Sequence, residues 1–160
     1  MTEPTDTTAA TVTAATDAEM RALARRVASG LRRGDVLILT GPLGAGKTTF
    51  TQGLGEGLGV RGPITSPTFV ISRIHPSLTG GPDLVHVDAY RLGSAAEIDD
   101  LDLDAAIPDS VTVVEWGEGL AESLSDERLE IVIDRLPDDT RTVRLTGVGA
   151  RWHDALPTAQ

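Results

Sequence analysis

The sequence predicts a single-domain, three-layer α/β sandwich with a mainly parallel central sheet and a C-terminal antiparallel hairpin. Three observations carry that prediction. Val36-Leu37-Ile38-Leu39-Thr40 is a short apolar, partly β-branched run of the kind that forms a buried parallel strand, and a glycine-rich loop and a helical stretch follow it directly. Two later runs, Leu84-Val85-His86-Val87-Asp88 and Val111-Thr112-Val113-Val114-Glu115, are equally apolar, and each ends in an acid. In the last third the pattern changes to strict alternation. Leu129, Ile131 and Ile133 alternate with Glu130, Val132 and Asp134, and Val143 and Leu145 with Thr142 and Arg144, across a turn at Leu136-Pro137-Asp138-Asp139-Thr140.

The remaining elements follow in chain order. Residues Met1 to Ala10 read as a disordered leader, 11–152 as the domain and 153–160 as a flexible tail; Thr11 to Ala15 form a first short strand. Thr16-Asp17-Ala18-Glu19 is a capping box, and Met20, Leu23, Ala24, Val27 and Leu31 recur on one face of a helix that runs to about Arg33 and closes at Gly34. After the Val36–Thr40 strand, Lys47 to Leu58 reads as a helix stopped by Gly59. The loop Gly62-Pro63-Ile64-Thr65-Ser66-Pro67-Thr68 leads into a strand over Phe69 to Ile74, and a Gly/Pro-rich connection from Pro76 to Pro82 leads into the Leu84 run. Ser94-Ala95-Ala96-Glu97 is a second capping box, opening a short acidic helix through Leu101.

Composition narrows the function classes. A chain of 160 residues at 40% hydrophobic content buries one respectable core. With no cysteine there is neither a disulfide framework nor a thiolate metal site, and His75, His86 and His153 are too scattered for a zinc cluster, so each reads as an ordinary surface or strand residue. The Thr/Ala-rich start lacks the pattern of a signal peptide and no run reaches the length of a membrane span, which predicts a soluble, cytoplasmic protein. A formal net charge of −10 repels nucleic acid on average, so any role on RNA runs through another protein or one local patch.

Gly41-Pro42-Leu43-Gly44-Ala45-Gly46-Lys47-Thr48 is a complete match to the phosphate-cradling pattern G-x-x-x-x-G-K-[ST], and Lys47 is the only lysine in the chain. Thirteen of the fourteen basic residues are arginine, so the one ammonium stands where a compact cation on a flexible stem is needed to bridge β- and γ-phosphate oxygens. Strand, loop and helix come in the order that directs backbone N–H groups and the positive end of a helix dipole at the phosphates. The loop is therefore expected to bind a nucleoside triphosphate through Gly41, Gly44, Ala45, Gly46 and Lys47. The Thr48 hydroxyl then ligates Mg²⁺ and Thr49 reaches an α-phosphate oxygen. Against so acidic a background, strong Mg²⁺ dependence follows.

Asp88 and Glu115 end strands, and the C-terminal edge of a parallel sheet faces the ligand crevice, so both suit the metal or an attacking water. Either alone reads equally well as a strand-end acid facing solvent; two of them after a phosphate loop in one small domain favour a site. Thr65, Ser66 and Thr68 form either a switch loop sensing the γ-phosphate or a proline turn entering a strand. Tyr90 reads as partner surface or core, and Trp116, beside Glu115, borders the nucleotide. A Ras-type guanine reader is excluded, because the chain has no Asn and its one Lys is committed. With Gln52 and Gln160 the only glutamines, no Ras-like Gln orients a water, and slow hydrolysis is expected.

The P-loop together with Thr65-Ser66-Pro67-Thr68-Phe69, His86-Val87-Asp88-Ala89-Tyr90-Arg91-Leu92 and Glu115-Trp116 resembles the TsaE family, small bacterial ATPases required for threonylcarbamoyladenosine modification of tRNA, over about Thr16 to Trp152. The resemblance implies an ATPase that binds the TsaD–TsaB pair, which transfers the threonylcarbamoyl group to the adenosine beside the anticodon, with tRNA touched only indirectly. ATP binding or hydrolysis to ADP would then reset or license that complex between rounds. By position it implies that Lys47 and Thr49 hold phosphates, Thr48 and Glu115 ligate Mg²⁺, Asp88 contacts the nucleotide–metal cluster and helps hydrolysis, and Thr16 lies close to the base. Pro42 and Gly117 depart mildly from the family pattern without removing a catalytic group. Two other classes remain beside it: a P-loop kinase of a small metabolite, although the region available for a lid reads as a hairpin, and a nucleotide-gated binding module without significant turnover.

Overall fold

The computed structural model describes residues 7–41, 46–62, 72–88, 107–115 and 127–152. Its strands are β1 (Thr7–Ala14), β2 (Val36–Thr40), β3 (Ser72–His75), β4 (Asp83–Asp88), β5 (Ser110–Glu115), β6 (Arg128–Arg135) and β7 (Arg141–Val148), in one sheet of order β1-β7-β6-β2-β5-β4-β3. The central four, β6, β2, β5 and β4, pair in parallel. Antiparallel pairing adds β7 and then β1 on one side and β3 on the other. The expected α/β architecture is thus observed, with a parallel centre and antiparallel margins. The hairpin sits where its alternation requires: β6 and β7 turn Leu129, Ile131, Ile133, Val143 and Leu145 into the core.

Two helices, α1 (Asp17–Ser29) and α2 (Lys47–Leu58), cover one face of the sheet. Met20, Leu23, Ala24 and Val27 of α1 and Phe50, Leu54 and Leu58 of α2 pack there on Leu37, Leu39, Leu84, Val111 and Val113. On the opposite face Val36, Ile38, Val85, Val87 and Val114 are equally buried. Burial on both faces is why the β2 and β5 sequences are continuous apolar runs, whereas β6 alternates.

The helices lie side by side and run in the same direction: Arg21 bonds Gln52 at 3.0 Å and Arg25 pairs with Glu56 at 2.9 Å. Their close approach rests on Gly53 and Gly57. A Cβ at Gly53 would lie 2.6 Å from both the Ala24 Cβ and the Arg21 carbonyl, and one at Gly57 would lie 2.6 Å from the Ala28 Cβ. These glycines lower helix propensity by about 1 kcal/mol each, and the packing they permit offsets that cost.

Several boundaries differ from the sequence expectation. β1 begins at Thr7, not Thr11, because residues 7–14 pair continuously with β7, so residues 7–10, expected in the leader, belong to the sheet. α1 ends at Ser29 instead of about Arg33; the Gly30 N–H closes on Val27 and Ala28, and the left-handed turn at Gly34 (φ 96°) then feeds β2. β3 is described from Ser72 and extends to His75, one residue past the expected Ile74. The helix expected from Ser94 lies outside the described residues. The stop of α2 at Gly59 is as predicted, with φ 74° and its N–H bonded to Gly55 and Glu56 carbonyls.

Candidate functional site

β2, β5 and β4 all point their C-terminal ends to the edge of the sheet from which the glycine loop departs. Because α1 and α2 run in parallel, both helix N-termini lie at that same end. They are finished differently. At α1, Thr16 accepts the Glu19 N–H at 3.1 Å and donates back to the Glu19 carboxylate at 3.3 Å, with Asp17 and Glu19 in the first turn. At α2 the capping position is Gly46, at φ 106°, with no side-chain cap and no acid in the first turn. The uncapped terminus presents the positive end of its dipole, the arrangement that suits an anion.

Lys47, the first residue of α2, is 6% exposed, and its Nζ donates to the Gly41 carbonyl at 2.6 Å. The Thr51 hydroxyl bonds the Lys47 carbonyl at 2.9 Å and ties the first turn together. Thr48 and Thr49 are half-buried beside it. Of the loop itself, Gly41 and Gly46 are described, while Gly44 and Ala45 lie outside the described residues.

Glu115 ends β5 and pairs with Leu39 of β2, two residues before the loop begins at Gly41, and with Asp88 of β4 on the other side. The register therefore places Asp88 and Glu115 next to each other. Glu115 is 4% exposed. Its Oε2 accepts a hydrogen bond from Nε2 of His86, which is fully buried, and among the described residues no partner is found for Oε1. Glu115, at the sheet edge from which the glycine loop departs, and the Thr48 hydroxyl at the second position of α2 are hard oxygen donors of the kind that suits Mg²⁺. Among the described residues no three His, Asp or Glu side chains converge, so a closed protein cage is not formed. Mg²⁺ bound with nucleotide needs none, since phosphates and waters complete its shell.

Two residues at this end escaped the sequence reading. Arg141, the first residue of β7, pairs with Asp17 at 3.1 Å, and its Nε lies 4.0 Å from where a Cβ on Gly46 would stand. No local signal marks it, because β7 reaches the loop through sheet order alone. His86 was read as an ordinary strand residue, and only the β4–β5 register brings it to Glu115. Its neighbour His75 is also buried, and its pKa is lowered from 6.5 by burial first and then by His86. Thr65, Ser66, Thr68 and Trp116 lie outside the described residues. Thr16 lies at this same end, as the cap of α1.

Known proteins are similar to this chain along most of its length. The family described as "Threonylcarbamoyl adenosine biosynthesis protein TsaE" matches residues 14–143. The chain is 62% identical over 141 residues to the tRNA threonylcarbamoyladenosine biosynthesis protein TsaE of Streptomyces coelicolor, covering 85% of this chain and 95% of that one. It is 44% identical over 135 residues to the protein of that name from Bacillus subtilis, covering 84% and 83%. The crystal structure of Bacillus subtilis YdiB superposes with a TM-score of 0.75 at 36% identity, covering 91% and 90%. Among the described residues no helix is long and apolar enough to cross a membrane.

Proposed function

Since this chain belongs to the TsaE family of threonylcarbamoyladenosine biosynthesis proteins, we propose that it is a cytoplasmic, Mg²⁺-dependent ATPase of low intrinsic turnover that serves tRNA modification by binding and resetting the TsaD–TsaB complex. The observation that carries the reading is the juxtaposition at one sheet edge of an uncapped helix start, a buried Lys47 and a half-satisfied buried Glu115.

In this reading the backbone N–H groups at the start of α2 and the Lys47 ammonium hold the β- and γ-phosphates. The Gly41 carbonyl keeps that ammonium directed into the loop. Thr48 and Glu115 hold Mg²⁺, whose chemistry is to neutralise charge developing on the phosphate oxygens. Asp88, adjacent to Glu115 in register, orients the attacking water, and Arg141 adds a cation beside Gly46. Thr65, Ser66 and Thr68 serve as the switch loop, and Thr16 and Trp116 border the base. The net charge of −10 supports action on tRNA through protein partners rather than by direct contact.

Release of phosphate from Mg·ATP tests the reading, measured for the protein alone and with TsaD and TsaB added. Slow turnover alone that changes on partner addition, and that is lost in Lys47→Ala, is expected. Partner-indifferent turnover, or a phosphorylated metabolite made without partners, would overturn it.

A further inference from the structure

Burying a carboxylate costs several kcal/mol unless its oxygens are partnered. Glu115 is buried, yet has one hydrogen-bond partner among the described residues, and that partner is itself unusual. His86 is fully buried, its Nε2 is spent on Glu115 Oε2, and its Nδ1 is buried with no hydrogen-bond partner. The unpartnered Nδ1 fits the tautomer with the proton on Nε2, since a proton on Nδ1 would be a buried donor with no acceptor. Most buried polar groups are hydrogen-bonded, so a buried imidazole that makes one bond only, to a carboxylate, calls for an explanation. Here the imidazole fixes one carboxylate oxygen and leaves the other at the strand end.

We propose that His86 is a positioning residue: its Nε2–H locks the rotamer of Glu115 so that Oε1 is presented to the Mg²⁺ of a bound nucleotide. The inference rests on the Mg·ATP reading above and adds a residue that acts through Glu115 without touching nucleotide. The bond also ties β4 to β5 two residues before Asp88, so it holds the strand ends that carry both acids in fixed relation. Partners of this kind behind a metal ligand are worth about 10–100-fold in metal affinity or activity.

The test uses the full chain and a non-hydrolysable ATP analogue, with affinity measured by calorimetry in chelator and across a Mg²⁺ titration, and a melting curve for each variant. His86→Leu is expected to shift the Mg²⁺ half-saturation upward by about 10-fold or more. Its analogue affinity in chelator should stay within about twofold of the parent, as the Lys47 contacts are untouched. His86→Gln, whose amide N–H reaches the Nε2 position, should recover most of the loss. Should His86→Leu not fold, His86→Asn takes its place, its shorter amide falling short of Glu115. A lowered melting temperature with parental Mg²⁺ half-saturation in both the truncated and the Gln variants overturns the inference and leaves a structural role. If the parent itself binds the analogue without Mg²⁺ dependence, the nucleotide–metal reading falls and takes the inference with it.

Discussion

Two acids are buried to the same degree at opposite edges of the sheet, and they are treated in opposite ways. Asp35, just before β2, is 5% exposed and fully engaged. It accepts Arg151 at both oxygens, at 3.0 and 2.9 Å, and the Arg32 N–H at 2.8 Å. Arg151 in turn donates to the Gly30 carbonyl at 2.7 Å and lies 4.2 Å over the ring of Trp152, the largest fully buried side chain. Glu115, at the other end of the neighbouring strand, is 4% exposed and has His86 as its one hydrogen-bond partner among the described residues. A network in which both Asp35 oxygens are partnered closes the lower edge beside Trp152. A carboxylate with one oxygen partnered among the described residues stands at the edge from which the glycine loop departs. The contrast teaches that two acids of equal burial can differ in how many partners they have, and under the proposed function that difference separates a structural acid from a working one.

The strongest way to break the comparison is Asp35→Ala. It leaves Arg151 buried without its counter-ion and should cost about 3–5 kcal/mol of unfolding free energy in a denaturant titration, with little change in nucleotide affinity per folded molecule. A loss below about 1 kcal/mol would show that the lower network is not structural. Glu115→Gln should invert the pattern. The amide keeps the shape and stability should change by about 1 kcal/mol or less, while Mg²⁺-dependent phosphate release falls by about 100-fold, equivalent to ~2.7 kcal/mol. Equal turnover in parent and variant would remove Glu115 from the site.

Gly53→Ala sharpens the picture by disturbing neither acid. Alanine favours a helix by ~1 kcal/mol over glycine, but a Cβ placed 2.6 Å from the Ala24 Cβ and the Arg21 carbonyl overpacks the α1–α2 contact at a cost of ~1–3 kcal/mol. A net loss of stability is expected, and a stabilised variant would mean the helices part freely. The smallest effect concerns pH. His75 titrates below its ordinary 6.5 when folded, through burial and then His86, so the unfolded chain binds the extra proton first. Stability is fully present above about 6.5 and declines as pH falls through the lowered folded value. His75→Gln should show a shallower loss between pH 7.5 and 5.5 in urea titrations; an unchanged slope would count against this source.

Much of this was legible in the residues because the signals are local. The Thr16 capping box, the Gly59 stop, the continuous apolar β2 and β5 and the alternating β6–β7 hairpin each depend on backbone preferences or face periodicity within a few positions. The glycine-loop pattern is a local signal of the same kind, since a loop proposed to hold a phosphate needs its glycines and Lys47 to be contiguous. Where two signals competed, the reading erred: helical periodicity ran through Leu31, but the turn at Gly30 and Gly34 ended α1 first. The extent of β1 depended on its pairing with β7, which no local pattern records.

The sequence by itself determined the strand–loop–helix unit, the parallel core and the identity of Lys47 and the two strand-end acids. Tertiary structure alone decided which buried polar groups meet. Arg141 reaches Gly46, Arg151 reaches Asp35 and His86 reaches Glu115 because sheet order and register bring distant segments together, and those contacts span separations over which sequence carries no periodic signal. Chemistry carried by one contiguous segment can be read from the chain, whereas chemistry assembled across strands exists only once the strands have chosen their neighbours.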